Sequence, residues 1–203
     1  PGNHDTGWSE SGGLGFTKVF GDGKFYFQHK GIHFIGNASG PYVRMSDGHI
    51  PRHVVNWTKA QLQKISKAAP IVYINHYPLD AGLDNWYEAI DMLKQKNTVL
   101  ALCGHGHSNR PVKAEGIPAV MGRSNLRAKA EVGGYNLVQV TADSFLFNER
   151  NPITGEEKKW HSIAFKQQVY NSSEPFPRPD FSINEKYKVV KPLWTFQSGA
   201  NVI

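Results

Sequence analysis

The stretch Val99-Leu100-Ala101-Leu102-Cys103-Gly104-His105-Gly106-His107 joins a short apolar run to two histidines, each preceded by a glycine. The apolar run is uncharged and is typical of a strand that is buried on both faces of a sheet. Glycine permits positive φ and the close approach of a ligand, and side chains two residues apart in a strand share a face. A turn with positive φ at the glycines and an extended strand would each direct both imidazoles into one pocket. The stretch therefore predicts a buried strand that ends in candidate metal ligands, although a surface turn has the same composition.

Two other short pieces of the chain hold candidate metal ligands in comparable settings. Residues Pro1-Gly2-Asn3-His4-Asp5 open the chain, and the apolar run Ile71–Asn75 is followed directly by His76. In this order the three pieces resemble the later motifs of the calcineurin-like metallophosphoesterases, which are GNH[D/E], an isolated histidine at a strand end, and GHxH. Each motif has its expected context, because each follows an apolar run or opens the chain.

The resemblance implies a set of ligands for two divalent cations. Asn3 would bind one cation through its amide oxygen, together with His76 and His105, and His107 would bind the other cation. Two such cations lie roughly 3.5–4 Å apart and activate a bound water to attack a phosphoester. Mixed nitrogen and oxygen ligands suit Mn, Fe or Zn, and the sequence does not choose among them.

The resemblance also implies two catalytic residues beside the metals. His4 would lie near the leaving-group oxygen as a general acid or transition-state stabiliser, and Asp5 would hydrogen-bond the His4 ring and hold its orientation. Taken singly, Asp5 is an ordinary turn or cap residue and His4 an ordinary surface histidine. The order of the motifs along the chain, taken together, favours a catalytic site.

The family has two earlier motifs, Asp-x-His and Gly-Asp-x-x-Asp, which the chain does not show in their expected positions. Asp47-Gly48-His49 matches the Asp-x-His pattern of the first motif but follows polar residues. Residues 21–25 have phenylalanine where the second motif has its second aspartate. Both stretches are typical of turns. We therefore expect a fold that lacks its N-terminal part and a chain that is inactive by itself.

Composition narrows the remaining classes of protein. The chain has 203 residues, 39% of them hydrophobic, and can bury a core. No stretch has the roughly 18 apolar residues that a membrane span needs. A formal charge of +6 favours a phosphate-bearing substrate, but Lys and Arg are scattered, so neither a nucleic acid nor a membrane is a clear partner. The lone Cys103 excludes an internal disulfide, and the localisation stays open, with export to the periplasm included.

Two helices are predicted in the middle of the chain. Thr58 and Gln61 have the spacing of a capping box, which predicts a helix that begins at Thr58 and ends before Pro70. A second helix is expected to begin near Asn85, with Glu88 three residues later. Because strands follow both helices, helix and strand alternate, which is typical of an α/β fold with its site at the carboxyl ends of the strands.

The remaining segments divide into strands and loops. Loops are predicted at residues 6–15 and 37–52, which are rich in Gly, Ser and Pro. The pattern predicts strands at residues 24–28, 32–36, 117–121, 135–141, 144–148 and 160–165. These elements agree with the fold that the resemblance implies, a sandwich of two mixed β-sheets flanked by helices.

The chain is expected to contain more than one unit. Residues 1–166 would form the C-terminal portion of a metallophosphoesterase domain, and the polar, Pro-rich residues 167–191 would form a linker. Residues 192–203 resemble the first strand of a pyrroloquinoline-quinone-type β-propeller repeat, which would make a covalently linked propeller domain a partner. The alternative is a C-terminal strand that packs on the phosphoesterase domain.

Two functions from different classes fit these observations. The first is a metal-dependent hydrolase of a small-molecule phosphomonoester or phosphodiester. The second is a catalytically inactive binding or scaffold domain attached to a propeller. Nucleophile-based hydrolysis and nucleotide binding by a P-loop are not supported, since the sequence has neither Gly-x-Ser-x-Gly nor Gly-x-x-x-x-Gly-Lys-Ser.

Overall fold

The structure is a computed structural model that describes residues 1–41, 44, 46–80, 82–125 and 132–170. The predicted propeller strand at 192–203 and all of the predicted linker beyond residue 170 lie outside the described residues. The described part contains three helices and nine strands: α1 (Leu14–Phe20), β1 (Phe25–His29), β2 (Ile32–Asn37), α2 (Arg52–Lys64), β3 (Ile71–Asn75), α3 (Trp86–Lys94), β4 (Thr98–Cys103), β5 (Arg110–Val112), β6 (Ala119–Met121), β7 (Tyr135–Val140), β8 (Ser144–Arg150) and β9 (Glu157–Ala164).

A six-stranded mixed sheet with the order β1-β2-β3-β4-β6-β5 forms the centre of the fold. Strands β2, β3, β4 and β6 run parallel, while β1 and β5 pair antiparallel at the two edges. Strands β3, β4 and β6 are largely apolar, as is typical of parallel strands with both faces buried. On β3, for example, Tyr73 belongs to the core on one face and Val72 to the core on the other.

A second sheet, β7-β8-β9, covers one face of the first and is antiparallel throughout. Phe145 and Phe147 of β8 are 1% exposed and pack in one cluster with Val72 and Leu100 of the central sheet. Helices α2 and α3 pack on the opposite face. The α/β class and the layered arrangement predicted from the sequence are confirmed, whereas the second sheet is antiparallel rather than mixed.

The first predicted helix exists, but its bounds were wrong. Helix α2 begins at Arg52, directly after Pro51, whose carbonyl accepts the amides of Val54 and Val55. Thr58 therefore lies in the middle of the helix and does not cap it. The helix ends at Lys64 because Ile65 is extended and buried, and the following carbonyls accept tertiary hydrogen bonds from residues 96–97 instead of continuing the helix.

The second predicted helix is confirmed as α3, with Asn85 at its N-cap position. The side chain of Asn85 makes no capping hydrogen bond. Its amide instead bonds both the N–H and the carbonyl of Ile50, at 3.0 and 2.9 Å. Asn85 consequently ties the segment before α2 to the beginning of α3, which fixes the helical layer on the sheet.

The predicted hairpin at 24–36 is confirmed by β1 and β2, and the four later predicted strands are confirmed by β6 to β9. Helix α1, which begins at Leu14 inside the loop predicted at residues 6–15, and the short strand β5 were missed. Helix α1 is largely exposed: Leu14, Val19 and Phe20 are 69–74% exposed. Within the described residues, no helix has the length and apolar character that a membrane crossing requires.

Candidate metal centre

The candidate ligands lie at the carboxyl ends of the central parallel strands. Strand β3 ends at Asn75 and β4 at Cys103, so His76 and Gly104 are the first residues after two neighbouring strands. The Gly104 amide donates to the His76 carbonyl at 2.8 Å, which links the two strand ends. Open α/β sheets place their sites at this edge, because chains diverge there and leave a crevice.

The first five residues form a turn that is hydrogen-bonded at the same end of the sheet, where the parallel strands finish. The Gly2 amide donates to Asp5 Oδ2 at 2.9 Å, and the Gly2 carbonyl accepts the Thr6 hydroxyl at 2.9 Å. The Pro1 carbonyl accepts the amide of Gly40, beyond the end of β2, at 3.2 Å. The turn that carries Asn3 is therefore held from within and anchored to the central sheet.

The anchored turn brings Asn3 against His76. Asn3 Oδ1 lies 3.0 Å from His76 Nε2, and Asn3 is only 7% exposed. The contact requires glycine at position 2, since a Cβ there would lie 2.5 Å from the imidazole carbons of His76. Gly2 in the motif thus leaves room for the ring that follows β3.

His105 completes a group of three around this contact. The ring centroids of His105 and His76 lie 5.3 Å apart in an edge-on arrangement, and the ring of Tyr77 lies 4.2 Å from that of His105. Tyr77 is fully buried. The aromatic ring of Tyr77 therefore supports the His105 imidazole from the core side and limits its movement.

The backbone of the 104–107 turn differs from the sequence-based expectation. His105 and His107 have positive φ values of 64° and 57°, whereas neither Gly104 nor Gly106 does. A residue with a Cβ pays about 1–2 kcal/mol for this conformation. A Cβ at Gly106 would lie 2.5 Å from Met121 Sδ, so the end of the Met121 side chain would have to shift to make room for one. Backbone strain at two candidate ligands is typical of functional sites.

Burial keeps the two inner imidazoles neutral near pH 7. Desolvation lowers the pKa of His76 to about 4, and the neighbouring His105 acts in the same direction. Desolvation also lowers the pKa of His105, and the nearby His107 and His4 add to this effect. Neutral imidazole is the form that binds metals. His76 and His105 are therefore ready to act as ligands without losing a proton.

One distance in the candidate site fits a shared cation, although the set of ligands is incomplete. Two ligand atoms that each lie about 2.1 Å from one ion and subtend a right angle are about 3.0 Å apart, which is the separation of Asn3 Oδ1 and His76 Nε2. Among the described residues, however, no three His, Cys, Asp or Glu side chains are grouped so as to hold a metal ion. The donor set is thus two imidazoles and one amide, without a carboxylate.

The other predicted site residues lie around this group. His107 is exposed, and its charge affects both His76 and His105, so it lies within electrostatic reach of them. His4 is exposed, with its ring 6.1 Å from that of Trp8. Asp5 caps its own turn through the Gly2 amide.

Two carboxylates beside the site were not predicted as site residues: the Asp-x-His pattern at residues 47–49 was interpreted as a turn, and Asp80 belongs to no motif. Asp47 and Asp80 both act on the His105 imidazole electrostatically, and Asp80 also acts on the Cys103 thiol. Asp80 follows the end of β3 by five residues, whereas Asp47 belongs to a loop that the Gly48–Leu83 bridge joins to the segment after β3. No local pattern indicates that bridge. Burial raises the pKa of Cys103 to about 12, which makes its thiol unreactive.

Two buried oxygens beside His76 stand out. Asn75 Oδ1 and the Tyr77 hydroxyl have no hydrogen-bond partner within the part of the chain that the structure describes. Such an unpaired buried group costs about 1–3 kcal/mol. A cavity of about 350 Å³ also adjoins His76, lined in part by Asp5, Phe25 and Cys103. Unpaired polar atoms, a cavity and backbone strain therefore meet at the same strand ends.

No family model matches the chain, and no curated protein matches it. Its fold is similar to solved structures of low sequence identity. GAP50, the anchor in the inner membrane complex of Plasmodium, is 14% identical with a TM-score of 0.44, over 74% of this chain and 54% of that one. Vps29 complexed with Zn²⁺ from Entamoeba histolytica is 11% identical with a TM-score of 0.32, over 70% and 61%.

A putative 5′-nucleotidase from Staphylococcus aureus is 12% identical, with a TM-score of 0.33, over 81% of this chain and 32% of that one. The chain thus spans about half of GAP50 and about a third of the nucleotidase.

Proposed function

We propose that the chain contributes the Asn/His side of a metal-dependent phosphoesterase site, in which Asn3, His76 and His105 bind one divalent cation. The observation that carries this proposal is the contact of Asn3 Oδ1 with His76 Nε2 at 3.0 Å, beside the His105 ring. Mn, Fe and Zn all accept this mixture of nitrogen and oxygen ligands. Burial keeps both imidazoles neutral, which supports the assignment.

We assign the surrounding residues the roles that the resemblance of the motifs implies. His107 extends the ligand set toward a second cation, and exposed His4 is available to give a proton to a leaving oxygen. Asp5 holds the turn that carries both Asn3 and His4 through its bond to the Gly2 amide. When bound, a pair of divalent cations supplies an activated water and neutralises phosphoryl charge.

The donor set limits what the 203-residue chain does by itself. The described residues group no three His, Cys, Asp or Glu side chains for a metal, and no matching motif supplies a bridging aspartate. We expect the chain to bind one cation weakly and to hydrolyse a generic phosphodiester at a negligible rate. Turnover of bis-p-nitrophenyl phosphate with added Mn²⁺, abolished by His105→Ala, would show that one cation site is sufficient.

A titration with Mn²⁺, followed by electron paramagnetic resonance of the free ion, tests the metal site. We expect one Mn²⁺ per chain, with affinity reduced at least about tenfold by His105→Ala or Asn3→Ala. The matched control is His29→Ala, since His29 is an exposed residue at the end of β1. Equal affinities of His105→Ala and His29→Ala would refute the site.

Phosphorus NMR tests the phosphoester part of the proposal separately. With protein in excess over Mn²⁺, a phosphate ester that reaches the bound ion shows a broadened ³¹P signal. At equal concentrations of bound Mn²⁺, and after subtraction of the broadening that free Mn²⁺ causes in a sample without protein, we expect broadening with the wild-type chain and less with His105→Ala. Binding of Mn²⁺ without broadening would leave a metal site that does not accept phosphoryl groups.

A binding or scaffold domain without catalysis is the second candidate. The absence of a three-residue His/Cys/Asp/Glu group among the described residues favours it. The same titration separates the two candidates, because a scaffold domain requires no cation affinity at Asn3, His76 and His105.

A further inference from the structure

Strand β5 places an arginine beside the candidate metal centre. Arg110, its first residue, pairs with Met121 of β6, and Met121 pairs with Cys103 at the end of β4. The three residues form one row across neighbouring strands. Arg110 therefore lies at the same end of the sheet as the carboxyl end of β4, where the turn of residues 104–107 begins.

The Arg110 side chain extends over that turn. Its Nη2 lies 3.7 Å from the position that a Cβ would take at Gly106, between the two candidate ligands His105 and His107. Met121 Sδ packs at the same position, at 2.5 Å from that Cβ. Because Gly106 has no side chain, the guanidinium lies directly against the turn.

Arg110 differs from the other described arginines in having no partner for its charge. Arg52, Arg123 and Arg150 each pair with a glutamate, and the guanidinium of Arg44 lies 5.5 Å from the centroid of the Trp8 ring. Over the described residues, no carboxylate comes within ion-pair distance of Arg110, which is exposed. An unpaired guanidinium beside the candidate ligands is suited to an anion.

We propose that Arg110 binds a non-bridging oxygen of the substrate's phosphoryl group and makes the site selective for phosphomonoesters; this inference rests on the proposed function. A guanidinium pairs with phosphate through two parallel N–H···O bonds. A monoester has three non-esterified oxygens, so one or more remain for Arg110 when others face the cation. A diester has two such oxygens and a lower charge, and gains less from Arg110.

Binding of phenyl phosphate and methyl phenyl phosphate, each measured by calorimetry with and without Mn²⁺, tests the proposal. The wild-type chain should bind the monoester at least about tenfold more tightly than the diester, a difference of about 1.4 kcal/mol. Arg110→Met should weaken the monoester about tenfold and the diester little. Arg110→Lys keeps the charge without the paired donors and should lie in between.

Lys113→Met is the matched control, because Lys113 is an exposed cation three positions away and its loss changes the net charge equally. Thermal melts of all variants show whether exposed Arg110 affects folding. Equal monoester affinities of Arg110→Met and Lys113→Met would overturn the inference, as would failure of the wild-type chain to bind either ester with or without Mn²⁺. The separate Mn²⁺ titration of His105→Ala tests the proposed metal site. A failure of the proposed role of Arg110 can therefore be distinguished from a failure of the proposed function.

Discussion

Asn3 Oδ1 and His76 Nε2 lie 3.0 Å apart although 73 positions of the chain separate them. Two sets of backbone bonds hold this contact. The turn of residues 2–6 is closed on the Gly2 carbonyl, and Gly40 binds the Pro1 carbonyl. The candidate ligands are therefore positioned by the backbone before any ion binds, which reduces the entropy that a ligand must overcome.

Gly2→Ala should disrupt that positioning. The added methyl group would lie 2.5 Å from the His76 ring, so either the ring or the turn must move. We expect Mn²⁺ affinity to fall at least about tenfold, since a misplaced ligand weakens a metal site by that order. Gly82→Ala is the control, because its nearest neighbour lies at an ordinary 3.4 Å. Similar Mn²⁺ affinities for the two variants would show that His76 does not need this close packing.

His107→Gly should stabilise the metal-free chain. His107 is exposed and has a φ of 57°, so glycine relieves backbone strain with little loss of packing. We expect the free energy of unfolding in urea, with EDTA present, to rise by about 0.5–1 kcal/mol. His107→Ala retains a Cβ and should give no such gain. Equal stabilities of the glycine and alanine variants would mean that the turn is not strained at His107.

The pKa of His76 predicts how stability changes with pH. Burial lowers this pKa from 6.5 to about 4, so the unfolded chain binds the proton more readily than the folded chain between these values. The stability that His76 contributes is therefore full above pH 6.5 and is lost as the pH falls toward 4. With EDTA present, the urea midpoint of the wild type should fall more between pH 7 and 4.5 than that of His76→Gln.

His29→Gln provides the comparison for this pH dependence, because His29 lies on the exposed strand β1. It should retain the wild-type decline. If His76→Gln and His29→Gln decline equally, the loss at low pH arises from other groups.

The strands that carry the candidate ligands could be predicted because of their burial. Strands β3 and β4 pack on both faces, so their sequences are continuous apolar runs, and His76 and Gly104 follow directly where the runs end. The conformation of the ligand turn could not be predicted in the same way. Glycine neighbours indicated positive φ at the glycines, whereas the structure has positive φ at His105 and His107.

The missed elements depend on contacts that no local pattern records. Strand β5 has three residues and contains Pro111, which is tolerated because the strand is an edge. Arg110 was therefore not recognised beside the site. The start of α2 was missed because the capping-box spacing of Thr58 and Gln61 also occurs within a helix, and Pro51 sets the actual beginning.

Thr58→Asp distinguishes the capping role predicted from the sequence from the position seen in the structure. Aspartate is as good a helix cap as threonine, so a capping Thr58 would tolerate it. In the structure Thr58 is fully buried, with its hydroxyl 2.8 Å from Asn37 Oδ1 and 2.9 Å from the Val54 carbonyl. A carboxylate there faces two acceptors, and the free energy of unfolding should fall by about 3 kcal/mol or more.

Thr154→Asp is the control for that substitution, because Thr154 is exposed and its hydroxyl accepts the Glu156 amide, as a carboxylate also would. Its urea midpoint should remain near that of the wild type. A Thr58→Asp variant as stable as Thr154→Asp would restore the interpretation of Thr58 as a cap.

Strand β1 should promote self-association. It is one of the two edge strands of the central sheet, it contains no Lys, Arg, Asp or Glu, and its pairing with β2 has no bulge. Phe25 and Phe27 are 42% and 48% exposed. Edges of this kind pair with other chains unless a charge blocks them. Phe27→Lys should therefore shift sedimentation velocity profiles toward the monomer at concentrations where the wild type associates.

Ile153→Lys adds the same charge at a site away from the edge, in the turn between β8 and β9, where Ile153 is 74% exposed. If net charge alone controlled association, both lysine variants would reduce it equally. If the open edge controls it, only Phe27→Lys acts, because a lysine on β1 must be desolvated for a second strand to pair there, whereas a lysine in the turn stays in water.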